Sequence, residues 1–173
     1  PYRNHQLFLS PHLPQGAPSS PALANLCAYR LDLRLDALAN SLGATYSRYA
    51  DDLTFSGNWE LERSLGRLQT QIGTIALEEG FAINFKKTRI MRAATRQLVT
   101  GIVVNAHPNI KRAEFDNLKA ILTNCIRMGP ESQNRDGHEN FRAFLKGKVA
   151  YFQMINALRG LRLRALLDQI AWP

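Results

Sequence analysis

Near residue 110 the hydrophobic rhythm of this chain changes, and the change requires a fold with two unlike halves. Before it, apolar residues at helical intervals alternate with short runs of β-formers; after it, only the helical period survives. Leu23, Leu26, Leu31, Leu35, Leu38 and Leu42 mark one long helix over Ala22–Leu42, opened by the hydroxyl cap and proline of Ser19-Ser20-Pro21 and stopped by Gly43. Thr45 to Ala50 and Leu53 to Ser56 are β-forming runs that meet at Asp51-Asp52, which reads as a hairpin. Leu61, Leu65, Leu68, Ile72 and Ile75 line one face of a second helix that ends near Gly80. Phe81–Ile90 and Gln97–Asn105 read as strands, followed by a turn at Ala106-His107-Pro108-Asn109.

From Lys111 the pattern predicts three helices. Phe115, Leu118, Ile121, Leu122 and Ile126 mark the first, Phe141 through Leu158 the second, and Leu161–Ile170 the third; Gly129–Gly137 is a polar loop. The expectation is therefore an α+β unit over residues 1–107, with antiparallel strands packed on helices, and an all-helical unit over residues 108–173. Pro1 to Gly16 reads as an extended or looped segment, and a first residue other than Met suggests a piece of a longer protein.

Charge narrows the partners. The net charge is +8 with a pI near 9.9, a balance that favours a polyanion. From Lys111 onwards eleven lysines and arginines face six acids, so five of the eight net charges sit in the helical part. No apolar run is long enough to span a membrane and no secretory leader is visible, so a cytoplasmic protein is expected. Cys27 and Cys125 lie far apart in apolar, helix-like contexts and read as buried free thiols. The four histidines show no metal-ligand spacing.

Asp51 and Asp52 carry the sharpest chemistry. Two adjacent carboxylates at a hairpin tip repel each other, and a divalent cation offsets that repulsion with oxygen coordination. Asp is also an ordinary turn residue, so the dipeptide alone says little. Its neighbours Tyr46, Tyr49, Leu53 and Phe55 place it on a half-buried sheet. Such a pair suits in-line nucleotidyl transfer, in which two metals about 4 Å apart stabilise the attacking and leaving oxygens.

Tyr49-Ala50-Asp51-Asp52 followed by Leu53-Thr54-Phe55-Ser56-Gly57 resembles the catalytic turn of bacterial reverse transcriptases, especially those of retrons. Further segments match in order. They are Leu13-Pro14-Gln15-Gly16-Ala17-Pro18-Ser19-Ser20-Pro21, Gly80-Phe81 through Asn84-Phe85-Lys86-Lys87-Thr88, Val99-Thr100-Gly101, and the basic helices after Lys111. The resemblance implies a partial polymerase palm followed by a helical thumb. It implies two Mg2+ ions (or Mn2+) bound by Asp51 and Asp52, an RNA template, a DNA or RNA primer and a deoxynucleoside triphosphate, with a cognate structured RNA as a further partner. It assigns Gln15, Gly16 and Tyr49 to template and nucleotide contact, and Lys87 to the triphosphate as a catalytic group. Thr100 and Gly101 fall in a primer-gripping hairpin, and Arg142, Lys146 and Lys148 on the thumb contact nucleic acid. Lys86 is as well read as an ordinary exposed lysine. A non-catalytic RNA-binding module, a group II intron-type maturase and a defence-associated untemplated polymerase are the alternatives.

One departure stands out. The family uses a third aspartate on a strand before the Gln-Gly segment, and residues 1–14 contain no Asp or Glu. The first acids, Asp32 and Asp36, read as exposed positions of an amphipathic helix. The family's fingers also lie upstream. This chain by itself is therefore expected to be nearly inactive in primer extension.

Overall fold

Ser19-Ser20-Pro21 does start a helix, but not by hydroxyl capping. In the computed structural model, which describes residues 12–172, Ser19 makes no side-chain cap, and Ser20 Oγ instead donates to the Pro14 carbonyl at 2.7 Å. The expected single helix is two, α1 (Ser20–Cys27) and α2 (Tyr29–Ser41), parted at Ala28, whose ψ of 0° departs from helical geometry. Leu31, Leu35 and Ala39 form the buried stripe of α2. Cys27, at the end of α1, is exposed rather than buried, because the apolar residues of α1 have no inner face to join: no residue of that helix is buried.

The hairpin forms as expected. β1 (Thr45–Tyr49) and β2 (Asp52–Ser56) pair antiparallel from Thr45↔Ser56 to Tyr49↔Asp52. Directly paired residues share a face, so Tyr46, Arg48, Leu53 and Phe55 point one way and Ser47, Tyr49, Asp52 and Thr54 the other. The first face packs on α2 and on α4 (Leu65–Glu78), where Tyr46, Leu53 and Phe55 meet Leu31, Leu35, Ile72 and Ala76. The short α3 (Trp59–Arg63) precedes α4, and Asn58 caps it by accepting from the Glu60 amide at 2.9 Å. Arg34 of α2 pairs with Glu79 just beyond α4 at 2.9 Å, and with Glu78.

Phe81–Ile90 is not a strand. α4 closes with Gly80 donating to Leu77 and Phe81 to Ala76, and the chain then runs irregularly into a 3-10 turn at Phe85–Lys87. The alternating Phe81, Ile83 and Phe85 satisfy a strand pattern locally, but no partner strand lies beside them among the described residues. Ile83 packs on the Leu31–Leu35–Ala76 cluster instead, and the Phe85 ring lies over Gly73.

A second compact unit runs from Arg89 onwards, and residues 89–107, read with the α+β half from their pattern, lie within it. It includes a second hairpin, as the resemblance implied at Thr100-Gly101 and where the residue pattern alone read as one strand over Gln97–Asn105: β3 (Leu98–Val99) and β4 (Ile102–Val103) turn through Thr100-Gly101. Three helices follow: α5 (Arg112–Met128), α6 (Phe141–Ile155) and α7 (Ala157–Leu167). The break between the last two comes at Asn156, earlier than expected, because its side chain caps α7 by accepting from the Arg159 amide at 3.0 Å. Leu118, Leu122, Cys125, Leu145, Val149, Phe152, Leu163 and Leu167 make their shared core. Burial pushes the Cys125 thiol pKa up, as suits a packing residue. No helix among the described residues is long and apolar enough to cross a membrane.

Candidate active site

The turn between β1 and β2 holds only Ala50 and Asp51, since Tyr49 already pairs with Asp52. A two-residue hairpin turn needs a positive φ at its first central residue, and Ala50 supplies it at +52°. An L-residue with a Cβ gives up about 1–2 kcal/mol in that conformation. The sequence thus places Asp51 on the turn and Asp52 on the first residue of β2, facing outward beside Tyr49. All three are exposed. Neither carboxylate takes a hydrogen bond or an ion pair among the described residues. Two uncommitted hard oxygen donors fit a hard divalent cation as part of its donor set. They are not a whole set: no group of three or more metal-ligating side chains gathers among the described residues.

Behind the turn lies a network that the sequence reading did not find. Arg48, on the inner face of β1, donates from Nε to Asp32 Oδ1 at 2.8 Å and from Nη2 to Asp32 Oδ2 at 2.7 Å. Its Nη2 also reaches Asn25 Oδ1 at 3.1 Å, and its Nη1 reaches the Ala50 carbonyl at 2.9 Å. Tyr46 Oη donates to Asp32 Oδ1 at 2.8 Å. Asp32 is therefore not a solvated helix position as expected, whereas Asp36 is exposed and accepts from Asn40 nearby. The Arg48 guanidinium holds the Asp32 carboxyl below its ordinary pKa, against the opposing effect of burial. Burial, reinforced by the bond to Asp32, pushes the Tyr46 phenol up. The signal was present in β1: strand alternation puts Arg48 on the face shared with Tyr46, and a cation on a buried face needs an anion.

Other expected residues occupy separate places in the first unit. Gln15 and Gly16 are exposed on a turn before α1, where Ala17 donates back to the Pro14 carbonyl at 3.3 Å. Gly16 has a φ of +86°, which a side chain would resist. Lys87 is exposed on the 3-10 turn after α4, and Lys86 is exposed beside it.

In the second unit, Thr100 and Gly101 are both exposed and both have positive φ, +48° and +88°, as a type I′ turn requires. A β-branched residue is a conformational outlier there. Asn105 braces this hairpin: its Oδ1 accepts from the Gln97 amide at 2.9 Å and its Nδ2 donates to the Thr95 carbonyl at 2.8 Å. On α6, Arg142, Lys146 and Lys148 are exposed; the first two share a face at i, i+4. Lys148 lies over the Phe144 ring at 5.0 Å, and Arg142 over Trp172 at 5.7 Å. Arg159 and Arg164, further cations of the helical part, have intramolecular partners. Arg159 donates to Asn109 Oδ1 at 3.1 Å and stacks on Phe115, and Arg164 pairs with Asp168 at 3.1 Å.

Comparison with known proteins bears on this geometry. The family described as "Reverse transcriptase (RNA-dependent DNA polymerase)" matches residues 2–123. The chain is 43% identical over 149 residues to the retron Mx65 reverse transcriptase of Myxococcus xanthus, covering 86% of this chain and 33% of that protein. It is 38% identical over 174 residues to the retron Mx162 reverse transcriptase of the same organism, covering 91% of this chain and 34% of that one. The retron Ec86 reverse transcriptase of Escherichia coli matches at 40% over 109 residues, or 62% of this chain and 33% of its own length. The chain thus spans about a third of the length of these relatives.

Proposed function

Because the chain belongs to the reverse transcriptase family of RNA-dependent DNA polymerases, we propose that it carries the metal-binding turn of a retron-type enzyme that copies RNA into DNA. The observation that carries this reading is the pair of uncommitted carboxylates, Asp51 and Asp52, on a hairpin turn whose backbone is held from behind. Residues 1–107 serve as part of the palm and residues 108–173, with helices α5–α7, as the thumb. The primer 3′ hydroxyl attacks the α-phosphate of a deoxynucleoside triphosphate, and pyrophosphate leaves. Asp51 and Asp52 hold divalent ions, Mg2+ by preference, which lower the cost of the charge that develops on the reacting oxygens. Lys87 neutralises triphosphate charge or protonates the leaving pyrophosphate. Gln15 and Gly16 offer a rigid, close backbone to template and nucleotide, and Tyr49 lies on the outward face beside Asp52. Thr100-Gly101 grips the primer strand, and Arg142, Lys146 and Lys148 contact phosphates. Work on a cognate structured RNA in the cytoplasm fits this reading.

The test is RNA-templated primer extension by the complete protein with Mg2+. Asp51→Ala is expected to lower incorporation by about 10³-fold or more while RNA affinity changes little. Loss of both together would assign the turn a structural role. One observation favours a second reading for this chain by itself: among the described residues two carboxylates meet at the turn, where a polymerase uses three. Salt-sensitive RNA binding by the chain without metal-dependent incorporation is the result that reading requires.

A further inference from the structure

We propose that Arg48 is a positioning residue for the aspartate turn: anchored on Asp32 of α2, it holds the Ala50 carbonyl and so fixes where Asp51 and Asp52 present their carboxylates. The inference rests on the polymerase reading of the turn and extends it to residues that no family motif quoted above includes.

The geometry separates this role from that of an ordinary ion pair. Arg48 is well buried, with 11% of its side chain exposed, and its bonds go in three directions. Nε and Nη2 take both oxygens of Asp32 in a fork, Nη2 also reaches Asn25 on α1, and Nη1 turns toward the tip of the hairpin. An ion pair that merely fastened β1 to α2 would end at Asp32. The Nη1 bond goes further, to the carbonyl of the residue immediately before Asp51. That residue is Ala50, whose left-handed φ is not the conformation an alanine prefers. The last paired residues of the ladder are Tyr49 and Asp52, so the Ala50 carbonyl lies beyond the strand register.

Asp32 is itself fixed from the other side by the Tyr46 hydroxyl. It sits on α2 between the buried Leu31 and Leu35. The chain of contacts therefore runs from the core of α2, through one planar guanidinium, to the backbone of the turn. It leaves both candidate metal ligands free because it grips a carbonyl and not a carboxylate. A lysine, with a compact ammonium, can pair with Asp32 but cannot span to the Ala50 carbonyl in the same fork.

The experiment uses the complete protein with the variants Arg48→Lys, Arg48→Met and Asp32→Asn, and Leu35→Ala as a control that loosens the same core without touching the turn. Three quantities are read: kcat and KM for the nucleotide in RNA-templated extension, Mn2+ affinity by electron paramagnetic resonance, and the thermal midpoint. Arg48→Lys is expected to lower kcat and weaken Mn2+ binding by roughly 10- to 100-fold, with the nucleotide KM changed by less than about threefold. Arg48→Met should fall at least as far and Asp32→Asn between. Leu35→Ala should lower the thermal midpoint as much or more yet leave Mn2+ affinity near that of the unsubstituted protein. If Arg48→Met does not fold, Arg48→Lys decides. The proposal is overturned if Arg48→Lys leaves Mn2+ affinity and kcat unchanged, or if both simply follow the thermal midpoint across all four variants. Absence of incorporation by the unsubstituted protein would refute the polymerase reading instead, and the Mn2+ titration would still judge the clamp.

Discussion

Two of the described residues hold a backbone conformation that their side chains oppose, and both sit at the tip of a hairpin. Ala50 does so beside the aspartate pair and Thr100 beside Gly101. At Thr100 the penalty is larger in kind, since a β-branched side chain crowds the left-handed region more than a methyl does. Asn is the residue best suited to the first position of a type I′ turn that ends in Gly. Thr100→Asn is therefore expected to stabilise the second unit by about 1 kcal/mol, measured by urea denaturation. If the Thr100 hydroxyl takes part in gripping a primer, the same variant will lose processivity in extension while gaining stability. Such a trade is common where strain is kept at a working site.

Among the elements, α6 and α7 come into close contact at Gly160. A Cβ built there would lie 2.2 Å from Gln153 Cα, a backbone atom of the facing helix that cannot swing away. Gly160→Ala is expected to cost about 2–3 kcal/mol through forced separation of the helices, read as a lower denaturation midpoint. Nothing in the local pattern of Ala157–Leu167 announces this; a glycine inside a helix reads only as a weakness. The same limit explains what the sequence disclosed elsewhere. The Thr45–Ser56 hairpin was legible because alternation and turn chemistry are local, and both agree there. Phe81–Ile90 misled because Phe81, Ile83 and Phe85 alternate without a neighbouring strand to pair with. Asp32 was misread because its partner lies sixteen positions away on β1. The carboxylates Asp51 and Asp52 could be picked out from their neighbours; strand alternation also marked Arg48 as facing inward with Tyr46, but not which anion or carbonyl it would meet.

At the scale of the molecule, the positive charge is divided between groups that are held and groups that are free. Arg34, Arg48, Arg159 and Arg164 all have partners within the chain, whereas Lys146 makes no ion pair among the described residues. On the function proposed above, Arg142 and Lys146, on one exposed face of α6, displace counterions from a nucleic acid, the first with its guanidinium resting over the Trp172 ring. Replacing both with Ala should reduce the slope of log affinity against log salt by roughly 1.5–2. Fluorescence anisotropy of labelled RNA across a salt series measures it. An unchanged slope would move the contact surface elsewhere.

The second unit gathers its core from helices that follow one another directly in the chain, with every buried member between Ile110 and Ile170. Contacts of such short sequence separation favour rapid folding, on the order of microseconds to milliseconds. The chain's two tryptophans are divided between the units. Trp172 packs against this core and Trp59 is 62% exposed at the head of α3. Intrinsic emission from the intact chain is therefore a clock for one unit alone. Its blue shift on refolding times the closure of the three helices around Trp172, while Trp59 contributes a nearly constant, water-like background.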